Sequence, residues 1–193
     1  MERIAEIQRI TKETEIRMKL NLDGKGQYNI STGIGFFDHM LQQVAVHGRF
    51  DIELIANGDL HVDDHHIIED IGIVFGSCLY KALGEKKGIN RYGFFVLPMD
   101  ETLVLTSIDL SRPFLNFQVE FNNSFIGTLN TQMIEEFFLA FCNNAKLSLH
   151  VLKLAGRNDH HICEAIFKSF AKSIKMAVSF TDTYDIPSSK GVL

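Results

Sequence analysis

Asp64-His65-His66-Ile67-Ile68-Glu69 and Asp159-His160-His161-Ile162-Cys163-Glu164 are two copies of one hexad, one in each half of the chain. Four of the eight histidines of the chain lie in these two hexads. Each hexad opens a run of apolar residues at helical spacing. The sequence therefore predicts two helices that begin at the hexads, the first ending near Gly84 and the second covering residues 159–178.

The geometry of a helix assigns different directions to the residues of a hexad. His65 and Glu69 are four residues apart and share one face, whereas His66 is turned from His65 by about 100°. Adjacent histidines therefore do not suit a single metal ion, but each can bind a different one. One hexad alone is more typical of a helix cap or a surface; its recurrence in two helices favours two half-sites for two metal ions.

Composition sets the class of protein. With 193 residues, 46% hydrophobic and 22% charged, the chain is expected to form a single globular domain of two similar halves, about 1–90 and 91–193. A net charge of -5 gives no support to nucleic-acid binding, and no apolar run reaches membrane-spanning length. Three cysteines without a pairing pattern indicate reduced thiols and a cytoplasmic protein.

The apolar patterns predict the same order of elements twice. In the first half, alternation within 3–22 predicts a half-buried strand, 28–30 its hairpin partner, residues after Gly35 a helix, and 50–54 a strand before the first hexad helix. In the second half, the pattern predicts strands at 92–97, 102–110 and 117–121, a helix at 131–146 and a strand at 147–154 before the second hexad helix. The result is an α+β fold of two sheet-plus-two-helix lobes, with the helices packed together between two outer sheets.

The internal repeat also predicts further metal ligands. His39 lies on the helix before the first hexad helix, and Glu136 lies near the matching position of the second half. Several imidazoles with carboxylates and no thiolate suit Mn²⁺ or Fe²⁺ better than a structural Zn²⁺. Cys163 falls off the face shared by His160 and Glu164, so we expect it in the core.

Five motifs in a fixed order carry a resemblance to a known family. The chain resembles imidazoleglycerol-phosphate dehydratase, an enzyme of histidine biosynthesis, nearly from end to end. One departure is Glu136, where many family members have His. The motifs are Thr11-Lys12-Glu13-Thr14, Gly35-Phe36-Phe37-Asp38-His39-Met40-Leu41, Asp63-Asp64-His65-His66-Ile67-Ile68-Glu69-Asp70, His160-His161-Ile162-Cys163-Glu164-Ala165-Ile166-Phe167-Lys168 and Pro187-Ser188-Ser189-Lys190-Gly191.

The resemblance implies a fold, a reaction and an assembly. The fold is built of two-layer halves of the ribosomal protein S5 domain 2-like type. The reaction is the dehydration of imidazole glycerol phosphate to imidazole acetol phosphate with two Mn²⁺ ions per subunit, which favour an imidazolate form of the substrate. The assembly is a homo-oligomer of 24 subunits with metal sites at subunit contacts, and neither nucleic acid nor membrane is a partner.

The resemblance also implies residue roles. One metal would take His39, His66, His160 and Glu164, and the other His65, Glu69, Glu136 and His161. Glu13 is the candidate acid/base, so that the catalytic set is Glu13, His65, Glu69, His160 and Glu164. The substrate-binding set, with cations and hydroxyls for the phosphate, is Glu13, His39, His47, Arg91, Arg112, Lys168, Ser188, Ser189 and Lys190.

Two other classes of function share these ligands. A dinuclear metal-dependent hydrolase would act on a phosphate ester, and release of phosphate would distinguish it from a dehydratase, which retains the phosphate. A metal-binding or storage assembly without catalysis would leave Glu13, Arg91, Arg112 and Lys190 without a role.

Overall fold

A computed structural model of the chain describes residues 3–192, so Met1, Glu2 and Leu193 of the predicted domain lie outside the described residues. The first half contains β1 (Ile4–Ile10), β2 (Thr14–Asn21), β3 (Tyr28–Ser31), α1 (Gly35–Gly48), β4 (Asp51–Gly58) and α2 (His65–Leu83). The second half contains β5 (Tyr92–Met99), β6 (Thr102–Asp109), β7 (Phe114–Gln118), β8 (Phe125–Ile126), β9 (Leu129–Asn130), α3 (Gln132–Ala145), β10 (Ser148–Ala155) and α4 (Asp159–Val178).

The two halves have the same sheet topology. The strand order is β1-β2-β4-β3 in the first sheet and β5-β6-β10-β7 in the second. In both sheets the first three strands are antiparallel, and the last strand lies parallel to its neighbour. The predicted α+β duplication is therefore confirmed, and each strand of one sheet pairs as the corresponding strand of the other sheet does.

One predicted pairing is wrong. β3 does not form a hairpin with β2, because β4 occupies that edge of β2 and β3 pairs in parallel with β4 instead. Asp51 at the start of β4 holds the connecting loop: its Oδ1 accepts hydrogen bonds from the backbone N–H groups of Lys25, Gly26 and Gln27. The turn residues at 23–26 thus carry the chain across β4 rather than back along β2.

Three smaller differences concern strands. Residues 3–22 form two strands, because β1 pairs with β2 as an antiparallel hairpin. β7 ends at Gln118 rather than extending to residue 121, since its pairing with β10 ends there. The short β8–β9 hairpin between β7 and α3 was not predicted, because strands of two residues are too short to show an alternating pattern.

The four helices meet on a core of buried phenylalanine side chains. The ring of Phe137 on α3 contacts Phe37 of α1 at 5.3 Å and Phe167 of α4 at 5.7 Å between ring centroids. Phe75 of α2 lies 6.5 Å away. α2 packs on α3 and α1 on α4, so each helix pair joins the two halves. Within residues 3–192, none of the helices is long and apolar enough to cross a membrane.

Candidate metal centre

The start of α4 is fixed by two side chains that precede the second hexad histidines. Asn158 caps the helix, and its Oδ1 accepts hydrogen bonds from the backbone N–H groups of His160 and His161. The buried carboxylate of Asp159 accepts hydrogen bonds from the backbone and side chains of Asn122 and Asn123. The hexad backbone is therefore held in place before any metal binds.

Three side chains from two helices converge into a possible metal site. His39 of α1 and His160 and Glu164 of α4 each offer one ligand atom, and these atoms lie within 4.8 Å of one another. The Nε2 atoms of His160 and His39 lie 3.1 Å and 3.6 Å from Oε2 of Glu164. The predicted His39 and the predicted second hexad thus belong to one group, although they come from different halves of the chain.

Lys168 extends a row of polar side chains on one face of α4, in which His160, Glu164 and Lys168 are spaced four residues apart. Its Nζ lies 2.5 Å from Oε1 of Glu164, so His160 and Lys168 contact opposite oxygens of one carboxylate. Burial raises the pKa of Glu164, but the hydrogen bond and charge of Lys168, together with His160 and His39, outweigh it, so that the pKa lies below its usual value. Glu164 is consequently held as a carboxylate, the form that binds metal.

A similar row of polar side chains on α1 faces the row on α4. His39, Gln43 and His47 are spaced four residues apart, and Nε2 of Gln43 lies 3.4 Å from Nδ1 of His39. Burial, followed by the nearby charges of Lys168 and Lys172, lowers the pKa of His47 below its usual value. The signal for Gln43 in the sequence is its position between His39 and His47 on one helical face.

The first hexad is arranged more openly. Nε2 of His65 lies 3.9 Å from Oε2 of Glu69, one turn along α2. Glu136 is the fifth residue of α3, as His39 is of α1, so the predicted correspondence between these positions holds in the structure. Within residues 3–192 of one chain, however, no second group of three such side chains brings its ligand atoms as close together as the first group.

The second histidine of each hexad contacts a carboxylate outside the hexad. Nδ1 of His66 lies 3.0 Å from Oδ2 of Asp59, and Nδ1 of His161 lies 2.9 Å from Oε2 of Glu101. These hydrogen bonds raise the pKa of both histidines. The bond from His161, followed by the one from the backbone N–H of Asn158, lowers the pKa of Glu101 to about 2. Each second histidine therefore contacts a different carboxylate from the first histidine of its hexad, which agrees with the predicted turn of about 100° between the two.

Glu13 lies on an ordered turn between β1 and β2. The hydroxyl oxygen of Thr11 accepts hydrogen bonds from the backbone N–H groups of Glu13 at 3.1 Å and Thr14 at 2.9 Å. The Glu13 carboxylate itself is exposed, with its Oε2 4.0 Å from Nδ1 of His66. The backbone is fixed while the carboxylate is free to reach a ligand.

The candidate phosphate-binding residues lie at the other end of α4. Arg91 makes a two-pronged ion pair with Asp109, donates a hydrogen bond to the carbonyl of Pro187, and is held by its backbone to the carbonyl of Ala177. Ala177 and His160 stand near opposite ends of a helix that rises 1.5 Å per residue, which separates them by about 25 Å. One chain therefore does not bring the metal ligands and Arg91 together.

Most other members of the phosphate-binding set adjoin, along the chain, residues that contact Arg91 or its partner Asp109. Residues 188–191 form a turn in which the backbone N–H of Gly191 bonds to the carbonyl of Ser188. The exposed Arg112 follows Ser111, whose hydroxyl donates to Asp109. Lys168, by contrast, lies beside the metal ligands. The predicted set is thus divided between two places in the chain.

Comparison with known proteins gives one consistent result. The family model described as imidazoleglycerol-phosphate dehydratase matches residues 32–174. A protein of Caldicellulosiruptor saccharolyticus with that name is 58% identical over 192 residues, covering 99% of this chain and 98% of the relative.

Solved structures of the same family share the fold. The enzyme of Staphylococcus aureus has a TM-score of 0.84 at 38% identity and covers 92% of this chain and 99% of its own. The protein of Pyrococcus furiosus has a TM-score of 0.85 at 32% identity, covering 97% of this chain and 100% of its own. The chain therefore belongs to the imidazoleglycerol-phosphate dehydratase family of enzymes.

Proposed function

We propose that the chain removes water from imidazole glycerol phosphate to give imidazole acetol phosphate, a step of histidine biosynthesis, and that it does so with two Mn²⁺ ions per subunit. The dehydratase class follows from the family. The observation that carries the finer proposal is the convergence of His39, His160 and Glu164 from two helices onto one point.

The donor atoms fit Mn²⁺. Imidazole nitrogens with carboxylate oxygens suit this ion, and a thiolate would favour Zn²⁺ instead. Cys163, the nearest cysteine in sequence, is fully buried, and burial raises the pKa of its thiol well above the usual value. When bound, the two ions would stabilise the imidazolate form of the substrate ring. The proposed ligand sets are His39, His66, His160 and Glu164 for one ion and His65, Glu69, Glu136 and His161 for the other.

The separation of residues within one chain supports an assembly in which subunits share sites. His66 bonds to Asp59, away from the group of His39, His160 and Glu164, and Arg91 lies about 25 Å along α4 from that group. Neighbouring copies would supply what one chain separates. We propose a homo-oligomer of 24 subunits with metal sites at subunit contacts. The three cysteines are free and buried, which is consistent with a reducing, cytoplasmic location.

The side chains of this protein would move one proton and hold one phosphate. Glu13 is the proposed acid/base: after the substrate ring expels the neighbouring hydroxyl group as hydroxide, the Glu13 carboxylate would accept the proton of the next carbon, and the enol that forms would become the ketone. The hydroxide and this proton together make up the water that is lost. The phosphate would bind the cationic side chains of Lys168, Arg91, Arg112 and Lys190. The hydroxyls of Ser188 and Ser189 would donate hydrogen bonds to it. His39 and His47, which belong to the polar row on α1, would contact the substrate from the side of that helix.

The test is turnover of metal-stripped protein with imidazole glycerol phosphate before and after addition of Mn²⁺. We expect a ketone product that depends on Mn²⁺ and is lost in His65→Ala and His160→Ala. His150→Ala is the matched control, because His150 lies on β10 in the sheet and in neither hexad. Assembled, metal-loaded protein that forms no ketone would overturn the reaction. Release of inorganic phosphate instead would point to a phosphate-ester hydrolase.

A further inference from the structure

The two hexads share a feature that their sequences do not contain. In each, the second histidine directs Nδ1 at a carboxylate from another element: Asp59 follows β4, and Glu101 lies in the turn between β5 and β6. The two carboxylates do not occupy equivalent positions in the internal repeat. The same contact has therefore been built twice from different parts of the fold.

The contact decides which ring nitrogen is available to a metal. A neutral imidazole has one N–H donor and one nitrogen that accepts or binds a metal. A carboxylate at Nδ1 accepts a hydrogen bond, so it places the proton there and leaves the lone pair on Nε2. Histidines that bind metals commonly donate their other N–H to such a partner, and losing it typically costs about 10–100-fold in metal affinity.

We propose that Asp59 and Glu101 are positioning residues that fix His66 and His161 in the tautomer that binds metal through Nε2. This inference rests on the proposed function, since it takes His66 and His161 as Mn²⁺ ligands. Because the two histidines belong to different proposed ligand sets, each carboxylate would act on a different one of the two ions. His161 has a further carboxylate on the metal side, with Oδ2 of Asp100 3.7 Å from its Nε2.

The remaining contacts of the two carboxylates differ. Oδ1 of Asp59 is buried and has no hydrogen-bond partner among the described residues. Oε1 of Glu101, in contrast, accepts hydrogen bonds from the backbone N–H groups of Asn158 at 2.9 Å and Arg157 at 3.3 Å. No other hydrogen bond fixes the orientation of an amide at position 59, so its oxygen can face His66 as Oδ2 of Asp59 does, with the N–H₂ group in the place of Oδ1. An amide at position 101 has one oxygen, so it cannot accept hydrogen bonds from both Nδ1 of His161 and the backbone N–H groups of Asn158 and Arg157.

This difference gives a test that separates tautomer control from charge. In Glu101→Gln, either the amide N–H₂ group faces Nδ1 of His161 and moves the proton to Nε2, or the backbone bonds at the start of α4 are lost. We expect Glu101→Gln and Asp59→Ala each to weaken one of the two Mn²⁺ sites about 10–100-fold. Asp59→Asn should bind both ions as the wild type does.

The measurement is a titration of the assembled, metal-stripped protein with Mn²⁺, in which electron paramagnetic resonance counts the free ion. Glu53→Gln is the control, since Glu53 is an exposed carboxylate on β4 that pairs with Lys19. Equal weakening in Asp59→Asn and Asp59→Ala would overturn the tautomer role, as would unchanged affinity in both Asp59→Ala and Glu101→Gln.

The same titration separates this inference from the proposed function. Wild-type protein that binds no Mn²⁺ overturns both. Wild-type protein that binds two ions per chain but forms no ketone overturns the reaction alone, and the comparison of Asp59→Asn with Glu101→Gln then still decides the role of the carboxylates. Size-exclusion chromatography of each variant verifies that affinity is compared between equal assemblies.

Discussion

Nε of Arg9 lies 2.8 Å from Oδ1 of Asp70, and this ion pair joins β1 to the helix that carries the first hexad. The other oxygen of Asp70 accepts a hydrogen bond from the hydroxyl of Thr14. Thr14 and Asp70 are both buried. Since Glu13 immediately precedes Thr14, this network holds the turn of the proposed acid/base against α2.

The second half of the chain lacks the network. Thr102 begins β6 as Thr14 begins β2, but the residue after the hexad glutamate is Ala165 where the first half has Asp70. The buried hydroxyl of Thr102 has no hydrogen-bond partner among residues 3–192. The two halves therefore share the buried threonine, but only the first half has the carboxylate that accepts its hydrogen bond.

We expect different effects on stability when the two hydroxyls are removed. Thr14→Val leaves the carboxylate of Asp70 short of a donor in a buried place, which should cost ~1–3 kcal/mol. Thr102→Val removes an unsatisfied polar group and should leave stability unchanged or raise it. Thermal denaturation at one fixed subunit concentration compares the two variants, because assembly makes the melting temperature depend on concentration. Equal losses in both would show that the Asp70 contact contributes nothing.

Phe137 should be the most sensitive position of the core, because its ring meets rings from the other three helices. Phe137→Ala should lower the free energy of unfolding by about 3–5 kcal/mol through lost burial and a cavity. Phe125→Ala is the matched control, since Phe125 is 59% exposed and should change stability by less than about 0.5 kcal/mol. Chemical denaturation followed by circular dichroism measures both. A loss at Phe137 no larger than at Phe125 would contradict this account of the core.

Gly72 permits the close approach of α2 and α3. A Cβ atom added there would lie 2.6 Å from the carbonyl oxygen of Phe137, a backbone atom that cannot move away alone. Gly72→Ala should therefore destabilise the fold, although alanine in a helix interior is favoured by about 0.5–1 kcal/mol. Gly35→Ala is the control, since a Cβ atom there meets nothing within 4 Å. Melting temperatures report the comparison, and a stabilised Gly72→Ala would show that the helices have room to separate.

The lowered pKa of His47 predicts a pH dependence of stability. Burial and the charges of Lys168 and Lys172 disfavour protonated His47 in the folded chain, so the unfolded chain binds the proton first as the pH falls. The contribution of His47 is present above pH ~6.5, the ordinary histidine pKa, and is lost as the pH falls through its lower folded value.

The comparison of wild type with His47→Gln isolates this effect. Between pH 8 and pH 5, the melting temperature of the wild type should fall more than that of the variant, while the other histidines contribute equally to both. A difference that stays constant across this range would show that His47 is not shielded from protonation in the folded state.

The doubled hexad made the internal repeat visible, and helical periodicity was enough to place α2 and α4. It also placed His39 and Glu136 at corresponding positions, the fifth residue of α1 and of α3. Those features depend on residues close in sequence, so a local pattern records them. The pairing of β3 was predicted wrongly because strand alternation shows which face is buried and not which edge is free.

By itself, then, the sequence determined the two-lobed α+β plan, the family resemblance and the residue types that can bind metal. The tertiary structure decided which of them meet: α1 of one half packs on α4 of the other, so His39 joins His160 and Glu164 across the repeat. It also decided that Asp59 and Glu101 reach the hexad histidines and that Arg91 lies at the far end of α4. These contacts join residues far apart along the chain, and their geometry is set by how the helices and sheets pack, which no local pattern contains.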